Sequence, residues 1–197
     1  MRLPVAAGIE EQPALLSPAA DNGARFRRGL LIHALLARLP PVTPEGRTSA
    51  ALAYLWRNGI VAAEAEPIVQ EVLGILSHPK FAALFGQYSR AEVAVAAELS
   101  ELGNVRISGQ IDRLALTADA VLIADFKTNR PPPNTPEETP RLYLTQMALY
   151  RAALQKIYPN RRVECALIWT DGAILMDLPA ELLSRELSRI AERKICQ

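Results

Sequence analysis

The sequence predicts an α/β domain in which helices flank a mixed central sheet of about five strands, with a helical part at the amino terminus. Two observations favour this fold class. Apolar residues recur at helical spacing from about residue 25 to residue 85. From Glu92 the apolar period changes to two, and strands then alternate with helices to the end of the chain.

Four helices are predicted before the first strand. The first covers "RFRRGLLIHALLARLP", whose leucines fall on one face and whose final prolines end the run. Two more are predicted over "RTSAALAYLWRNG" and "AEAEPIVQEVLGILSH", and a short one over "PKFAALFG". Residues 1–22 are rich in alanine and proline and are typical of a linker or a disordered start. We therefore expect one domain over residues 23–197, cut from a longer chain.

Three strands are predicted next, over "EVAVAAEL", "NVRISGQIDRLALT" and "AVLIADFKT". The proline-rich segment "NRPPPNTPEETP" predicts a loop, because proline fits neither a helix interior nor a central strand. A long helix follows over "RLYLTQMALYRAALQKIY", then two strands over "RVECALIWT" and "AILMDLP". Asp171-Gly172 predicts a tight turn between these strands. A last helix, "ELLSRELSRIAERKI", completes the pattern.

Composition narrows the class of function. With 50% hydrophobic and 22% charged residues the chain is expected to fold rather than to stay disordered. A formal net charge of +1 means that any contact with nucleic acid comes from a local basic patch. No apolar run reaches the ~18 residues that a membrane span needs. Cys165 and Cys196 lack metal-ligand spacing, which fits a reducing cytoplasm.

The hairpin "GQIDRLALTADAVLIADFKTNR" carries the polar residues of interest. Asp125 and Lys127 leave one face of their strand, because they are two residues apart. If a two-residue loop at Ala118–Asp119 closes the hairpin, Asp112 faces Asp125 with Cβ atoms ~5 Å apart. The leucines after Asp112 share its side of the strand, which requires either a bulge near Arg113 or a strand buried on both faces.

Two facing carboxylates repel each other in a largely apolar setting. A divalent cation removes the conflict, and hard oxygen ligands suit Mg²⁺ or Mn²⁺. A lysine beside that cation could orient the attacking water or neutralise charge on a phosphate. Two facing carboxylates with a lysine beside them therefore indicate phosphodiester hydrolysis. The competing interpretation, which these residues alone leave open, is a surface lattice of ion pairs on one side of a hairpin.

The hairpin and the long helix carry three motifs in series, "GQIDRL", "IADFKTNR" and "QMALYRAAL". The series resembles the carboxy-terminal nuclease domain of the AddA/RecB helicase–nuclease family, in the PD-(D/E)XK superfamily, most closely in its alphaproteobacterial AddA form. Similarity extends through "RGLLIHALLARLP", "HPKFAALFG", "SRAEVAV" and "CALIWTDG". The resemblance implies a restriction-endonuclease-like fold. It also implies an Mg²⁺-dependent, exonuclease-type deoxyribonuclease acting in double-strand-break repair and recombination.

By position, the resemblance makes Asp112 and Asp125 ligands of Mg²⁺, for which Mn²⁺ is a possible substitute, and Lys127 the catalytic lysine. It adds two further ligands, the backbone carbonyl of Phe126 and the imidazole of His33. From the residues alone, a histidine in a leucine-rich helix is more often a buried, hydrogen-bonded core residue.

The resemblance also implies roles for three further residues. Glu92 occupies the position of an acid at the start of the first strand, where it could bind metal through water, position the lysine, or simply begin an edge strand. Glu98 and Glu101 are rival acids nearby. Gln146 and Tyr150 share a helix face, and the family places them over the active site to hold a phosphate or the lysine. The alternative for this pair is an ordinary semi-buried aromatic with a polar neighbour.

The implied partners are DNA, as a single-stranded end delivered by a helicase, an upstream helicase domain of the same chain, and a second, AddB-type subunit. No membrane partner is expected. Arg113, Asn129 and Arg130 are candidate phosphate contacts. Two other functions stay open: a free-standing RecB-like exonuclease, and a catalytically silent nuclease fold used for DNA binding or subunit docking. The intact Asp112, Asp125 and Lys127 count against the silent fold.

Overall fold

The computed structural model describes residues 2–4 and 23–195, which form six strands and five α-helices. The strands are β1 (Arg2–Pro4), β2 (Ser89–Leu99), β3 (Val105–Leu116), β4 (Ala120–Lys127), β5 (Arg162–Trp169) and β6 (Ile174–Leu178). The α-helices are α1 (Ala24–Arg38), α2 (Pro44–Arg57), α3 (Ala62–Ser77), α4 (Arg141–Ile157) and α5 (Ala180–Ile195). Short 3-10 helices cover Pro79–Phe85, Ser100–Leu102 and Pro136–Glu138.

The strands form one mixed sheet, as the sequence predicts. β3 pairs antiparallel with β2 along most of its length. Its other edge is shared, because β1 runs parallel to Arg106–Ser108 and β4 runs antiparallel to Arg113–Leu116. β4 then pairs parallel with β5, and β5 antiparallel with β6. Residues 109–112 of β3 therefore meet no described strand on that edge, which leaves a gap between β1 and β4.

Helices cover both faces of the sheet. Helices α4 and α5 pack on the face that carries Val121 and Ile123 and form the larger apolar cluster with it. Helices α1 to α3 and the 3-10 helix Pro79–Phe85 pack on the opposite face, against Ala124 and Phe126. The predicted amino-terminal helical part is thus one complete layer of the domain.

The β3–β4 hairpin has the predicted register. The Thr117 amide donates to the Ala120 carbonyl at 2.9 Å, and the ladder runs from there to the pair Arg113↔Ala124. The register between β2 and β3 is the same on both sides of Glu92 and Asp112, so neither strand gains a residue there, although these two residues do not themselves pair. Residues 113–115 are buried in succession, so β3 is buried on both faces here. This burial explains why apolar residues follow Asp112 on its own side of the strand.

Several element boundaries differ from the prediction. The short fourth helix is a 3-10 helix. α2 begins at Pro44 rather than at Arg47, because proline fits the first helical position. β1 lies in the segment predicted to be linker-like, and residues 5–22 of that segment lie outside the described residues. None of the described helices is long and apolar enough to cross a membrane.

Candidate active site

The site lies where β3 and β4 separate. The next pair of the ladder would join Asp112 to Asp125, but the Phe126 amide instead donates to Asp112 Oδ2 at 2.8 Å. A side-chain carboxylate thus replaces the backbone acceptor of a neighbouring strand. In an extended strand the N–H and C=O of one residue leave the same edge. The Phe126 carbonyl is therefore directed toward the gap beside Asp112.

Lys127 and Asp125 form a buried ion pair on the face that α4 covers. Lys127 Nζ lies 2.5 Å from Asp125 Oδ2, and the two side chains are only 8% and 6% exposed. Lys127 Nζ also donates to Gln146 Oε1 at 3.2 Å. Burial lowers the pKa of Lys127, but Asp125 and then Asp112 raise it, so that it lies above its ordinary value. Lys127 is therefore a cation at neutral pH.

His33 approaches Asp112 from the opposite layer. Its Nδ1 lies 3.5 Å from Asp112 Oδ2, and its ring meets Phe126 edge-on at 5.6 Å between centroids. The His33 side chain is 28% exposed, so it is not a buried core residue. One turn earlier, Gly29 lets α1 approach the end of β4, because a Cβ there would lie 3.0 Å from Thr128 Oγ1.

Asp112 carries the electrostatic conflict that the sequence predicts. Burial, and after it the charge of Asp125, raise the pKa of Asp112, while His33, the Phe126 amide and Lys127 lower it, and the resulting pKa is about 7. A carboxyl group beside a second carboxylate resists ionisation when little water reaches it. A cation at this point would favour the ionised form of Asp112.

Tyr150 takes the place of the missing strand neighbour beside β3. Its hydroxyl donates to the Gln110 carbonyl at 2.7 Å and accepts from the Gln110 amide at 3.2 Å. It also hydrogen-bonds Gln146. Burial raises the pKa of Tyr150 to about 12, so the phenol keeps its proton. Tyr150 therefore fixes Gln146, which in turn bonds Lys127.

The chain as a whole matches the family model of the PD-(D/E)XK nuclease superfamily over residues 6–188. The chain belongs to this superfamily. A solved structure titled "Crystal structure of SSO0001" has 14% sequence identity and a TM-score of 0.35, covering 84% of this chain and 74% of that chain. No curated protein sequence matches the chain. Superfamily membership, the mixed sheet and its flanking helices identify a nuclease fold of the restriction-endonuclease type.

PD-(D/E)XK nucleases typically use divalent metal ions, and the candidate site contains donor atoms for such an ion. Asp112, Asp125 and the Phe126 carbonyl offer the oxygen ligands that suit Mg²⁺ or Mn²⁺, and His33 adds an imidazole, a ligand that transition metals prefer. Across residues 2–4 and 23–195, no three His, Cys, Asp or Glu side chains are grouped closely enough to hold a metal ion. Asp112 contacts His33, whereas the carboxylate of Asp125 is paired with Lys127. The chemistry of the set fits a hard cation.

Glu92 is exposed and lies in β2 between the pairs Ala91↔Arg113 and Val93↔Ile111, at the position where the ladder with β3 is interrupted beside Asp112. Its φ of 54° is in the left-handed region, which is uncommon for a non-glycine residue and typical of functional sites. Its carboxylate accepts from the Gln110 side chain rather than from Lys127. β2 begins at Ser89, so Glu92 does not begin the strand. The rival Glu98 lies roughly 20 Å further along β2 and pairs with Arg106.

The candidate phosphate contacts have different environments. The prediction for Arg113 is wrong: it is 4% exposed, its Nε donates to the Leu84 carbonyl at 2.8 Å, and its guanidinium stacks on Phe85. Arg113 is therefore a structural residue. Arg130 is half-exposed, and its Nη2 lies 3.1 Å from Glu71 Oε2. Asn129 and then Arg130 follow Thr128 in the segment just after β4.

Two residues of the site were not predicted. Gln110 connects Glu92 to Tyr150. Tyr143 lies under the lysine, with Lys127 Nζ 3.9 Å from its ring centroid. The sequence could have indicated Tyr143. It lies three residues before Gln146 and seven before Tyr150, and at this spacing it shares their face of α4.

Proposed function

We propose that the domain is an Mg²⁺-dependent deoxyribonuclease. The observation that carries the proposal is the convergence of Asp112, Asp125 and Lys127 at the open end of the β3–β4 ladder. A purely structural ion-pair lattice would lie on the surface with its charges solvated, whereas Asp125 and Lys127 are buried. Buried groups whose charges conflict in this way are typical of catalytic sites.

Each residue of the site has a specific role in this proposal. Asp112 and Asp125, with His33 and the Phe126 carbonyl, would hold the cation. A divalent cation bound there supplies Lewis acidity toward a phosphoryl oxygen and makes a water molecule more acidic. Gln146 keeps the lysine at the site by accepting its hydrogen bond.

Lys127 acts as a cation and not as a base in this proposal, because its raised pKa keeps it protonated at neutral pH. It donates hydrogen bonds toward the phosphate and stabilises the negative charge that develops on it during attack by water. Tyr150 stays neutral and serves as a hydrogen-bonding support for Gln146 and β3. Glu92 supports the same part of β3 through Gln110.

We further propose that the domain belongs to an AddA/RecB-type helicase–nuclease of double-strand-break repair and recombination. The motifs "GQIDRL", "IADFKTNR" and "QMALYRAAL" support this assignment. The substrate would then be a single-stranded DNA end delivered by a helicase domain of the same chain, with exonuclease-type cutting in the cytoplasm. An AddB-type subunit would complete the complex.

A cleavage assay tests the function. The chain is incubated with linear single-stranded, linear double-stranded and circular single-stranded DNA, with Mg²⁺ and with chelator. We expect Mg²⁺-dependent loss of linear single strands and little cutting of the circle, because an exonuclease needs an end. Cutting of the circle would contradict exonuclease action. DNA binding without any cleavage would instead support the silent docking or binding module.

A further inference from the structure

The ammonium of Lys127 is in contact with three groups. Asp125 Oδ2 lies 2.5 Å from Nζ and Gln146 Oε1 lies 3.2 Å from it. The third group is the ring of Tyr143, whose centroid is 3.9 Å from Nζ. An ammonium group has three N–H donors, and an aromatic face attracts a cation through its quadrupole. The ring therefore supplies the contact that the two oxygen acceptors leave open.

Tyr143 is itself held firmly in place. It is 4% exposed and lies on the same face of α4 as Gln146. Its ring packs against Trp169, with 6.1 Å between centroids. Its hydroxyl donates to Asn129 Oδ1 at 2.9 Å, which joins α4 to the segment after β4. A ring held by its packing against Trp169 and by the hydrogen bond to Asn129 can direct the flexible side chain above it.

We propose that Tyr143 is a positioning residue for the nuclease reaction: its aromatic face holds the Lys127 ammonium at the site, while its hydroxyl anchors Asn129. The inference rests on the proposed function, because it assigns Tyr143 a task through the catalytic lysine. The ring and the hydroxyl have separate tasks, so substitutions can remove one and keep the other.

Two substitutions separate the ring from the hydroxyl. Tyr143→Phe keeps the aromatic face and removes the bond to Asn129. Tyr143→Leu keeps an apolar side chain in the buried position and removes the aromatic face. We expect kcat on single-stranded DNA to stay within about twofold in Tyr143→Phe and to fall about 3- to 30-fold in Tyr143→Leu, the range of a desolvated cation–π contact. KM should change little in either variant.

A matched control measures the effect of lost packing alone. Phe81→Leu removes a fully buried ring from the apolar cluster on the face of the sheet opposite to Lys127. It should lower thermal stability without lowering kcat at a temperature where the protein is folded. A loss of kcat in Phe81→Leu equal to that in Tyr143→Leu would overturn the positioning role.

A second measurement does not depend on cleavage. The chain contains only four lysines, Lys80, Lys127, Lys156 and Lys194, so NMR spectra of protein labelled at lysine Cε are simple. Lys127→Arg assigns the Lys127 signal. A ring 3.9 Å away should shift the Lys127 ε-protons upfield in the native protein and in Tyr143→Phe. The shift should vanish in Tyr143→Leu.

The outcomes are distinguishable. A fall in kcat in Tyr143→Leu with the ring shift lost, and neither change in Tyr143→Phe, supports the inference. Equal kcat in both variants, or a change in KM alone, overturns it. If the native chain cuts no DNA, the proposed function fails, and the ring shift alone decides whether Tyr143 holds Lys127. Absence of that shift in the native protein overturns the inference independently.

Discussion

The two ends of the β3–β4 hairpin use the same backbone in opposite ways. At the turn end, Leu114 and Ile123 face each other in a complete ladder and are buried. At the other end the ladder stops, and Asp112 accepts a backbone amide that a strand would otherwise bond. Apolar burial and backbone pairing stabilise the first end, whereas charged groups fill the second. We infer that the turn end serves stability and the open end serves function.

The largest effect is expected from removing a charge at the open end. Asp125→Asn should abolish Mg²⁺-dependent cleavage, because it removes a proposed ligand and the partner of Lys127. Asp119→Asn is the matched control at the turn end, where Asp119 is exposed and pairs with Arg162. It should leave cleavage unchanged and alter stability by less than about 1 kcal/mol. Equal cleavage by the two variants would remove the distinction between the ends.

A smaller effect is expected from the lysine. Lys127→Met should lower kcat about 10²- to 10³-fold, the usual loss when one group that stabilises transition-state charge is removed. DNA affinity should change far less, which single-turnover kinetics and a binding titration would establish. Lys156→Met is the control, since Lys156 lies at the exposed end of the same α4 helix and bonds the Glu98 carbonyl. An affinity loss as large as the rate loss would make Lys127 a phosphate anchor.

His33 should have the next smaller effect, because it contacts the open end from another layer. His33→Ala should weaken Mg²⁺ binding about 10- to 100-fold, as expected for a metal ligand or for the partner that orients one. Its partly exposed pair with Asp112 implies a metal-free stability change below about 1 kcal/mol.

The chain's second histidine provides the comparison for this variant. His78 caps the 3-10 helix by accepting from the Lys80 amide at 3.2 Å. His78→Ala should lower stability slightly and leave metal affinity unchanged. Isothermal titration with Mg²⁺ and melts in chelator would measure both variants. A large stability loss in His33→Ala with normal metal affinity would identify it as a core residue.

The hairpin also shows what the sequence can predict. Its register follows from the two-residue loop, which is a local feature. The face shared by Asp125 and Lys127 follows from strand alternation. These features place two carboxylates and a lysine together before any tertiary contact is known.

Other features of the site depend on distant segments. Nothing local in β3 predicts that Arg113 is buried, because its partners Leu84 and Phe85 lie in the 3-10 helix. The left-handed φ of Glu92 belongs to a residue with ordinary strand neighbours. The approach of His33 was implied by the family resemblance and not by its own helix pattern. Tertiary packing therefore decides these details.

We infer that Asp112 is held at the open end at a cost to the stability of the fold, because it serves to bind a cation. Its pKa rises from 3.8 to about 7 in the folded protein. Between these values the folded protein keeps a proton that the unfolded chain has lost, so stability contributed by this group falls as pH rises from about 4 through 7. Asp112→Asn cannot ionise and still offers an acceptor to the Phe126 amide.

Chemical denaturation of the native protein and Asp112→Asn, from pH 4 to pH 8, with chelator and with Mg²⁺, tests this claim most directly. In chelator, Asp112→Asn should become progressively more stable than the native protein as pH rises. Mg²⁺ at pH 8 should stabilise the native protein by mass action and leave the variant unchanged. A variant that is less stable than the native protein in chelator at pH 8, with the same response to Mg²⁺, would show that ionised Asp112 neither destabilises the fold nor binds the cation.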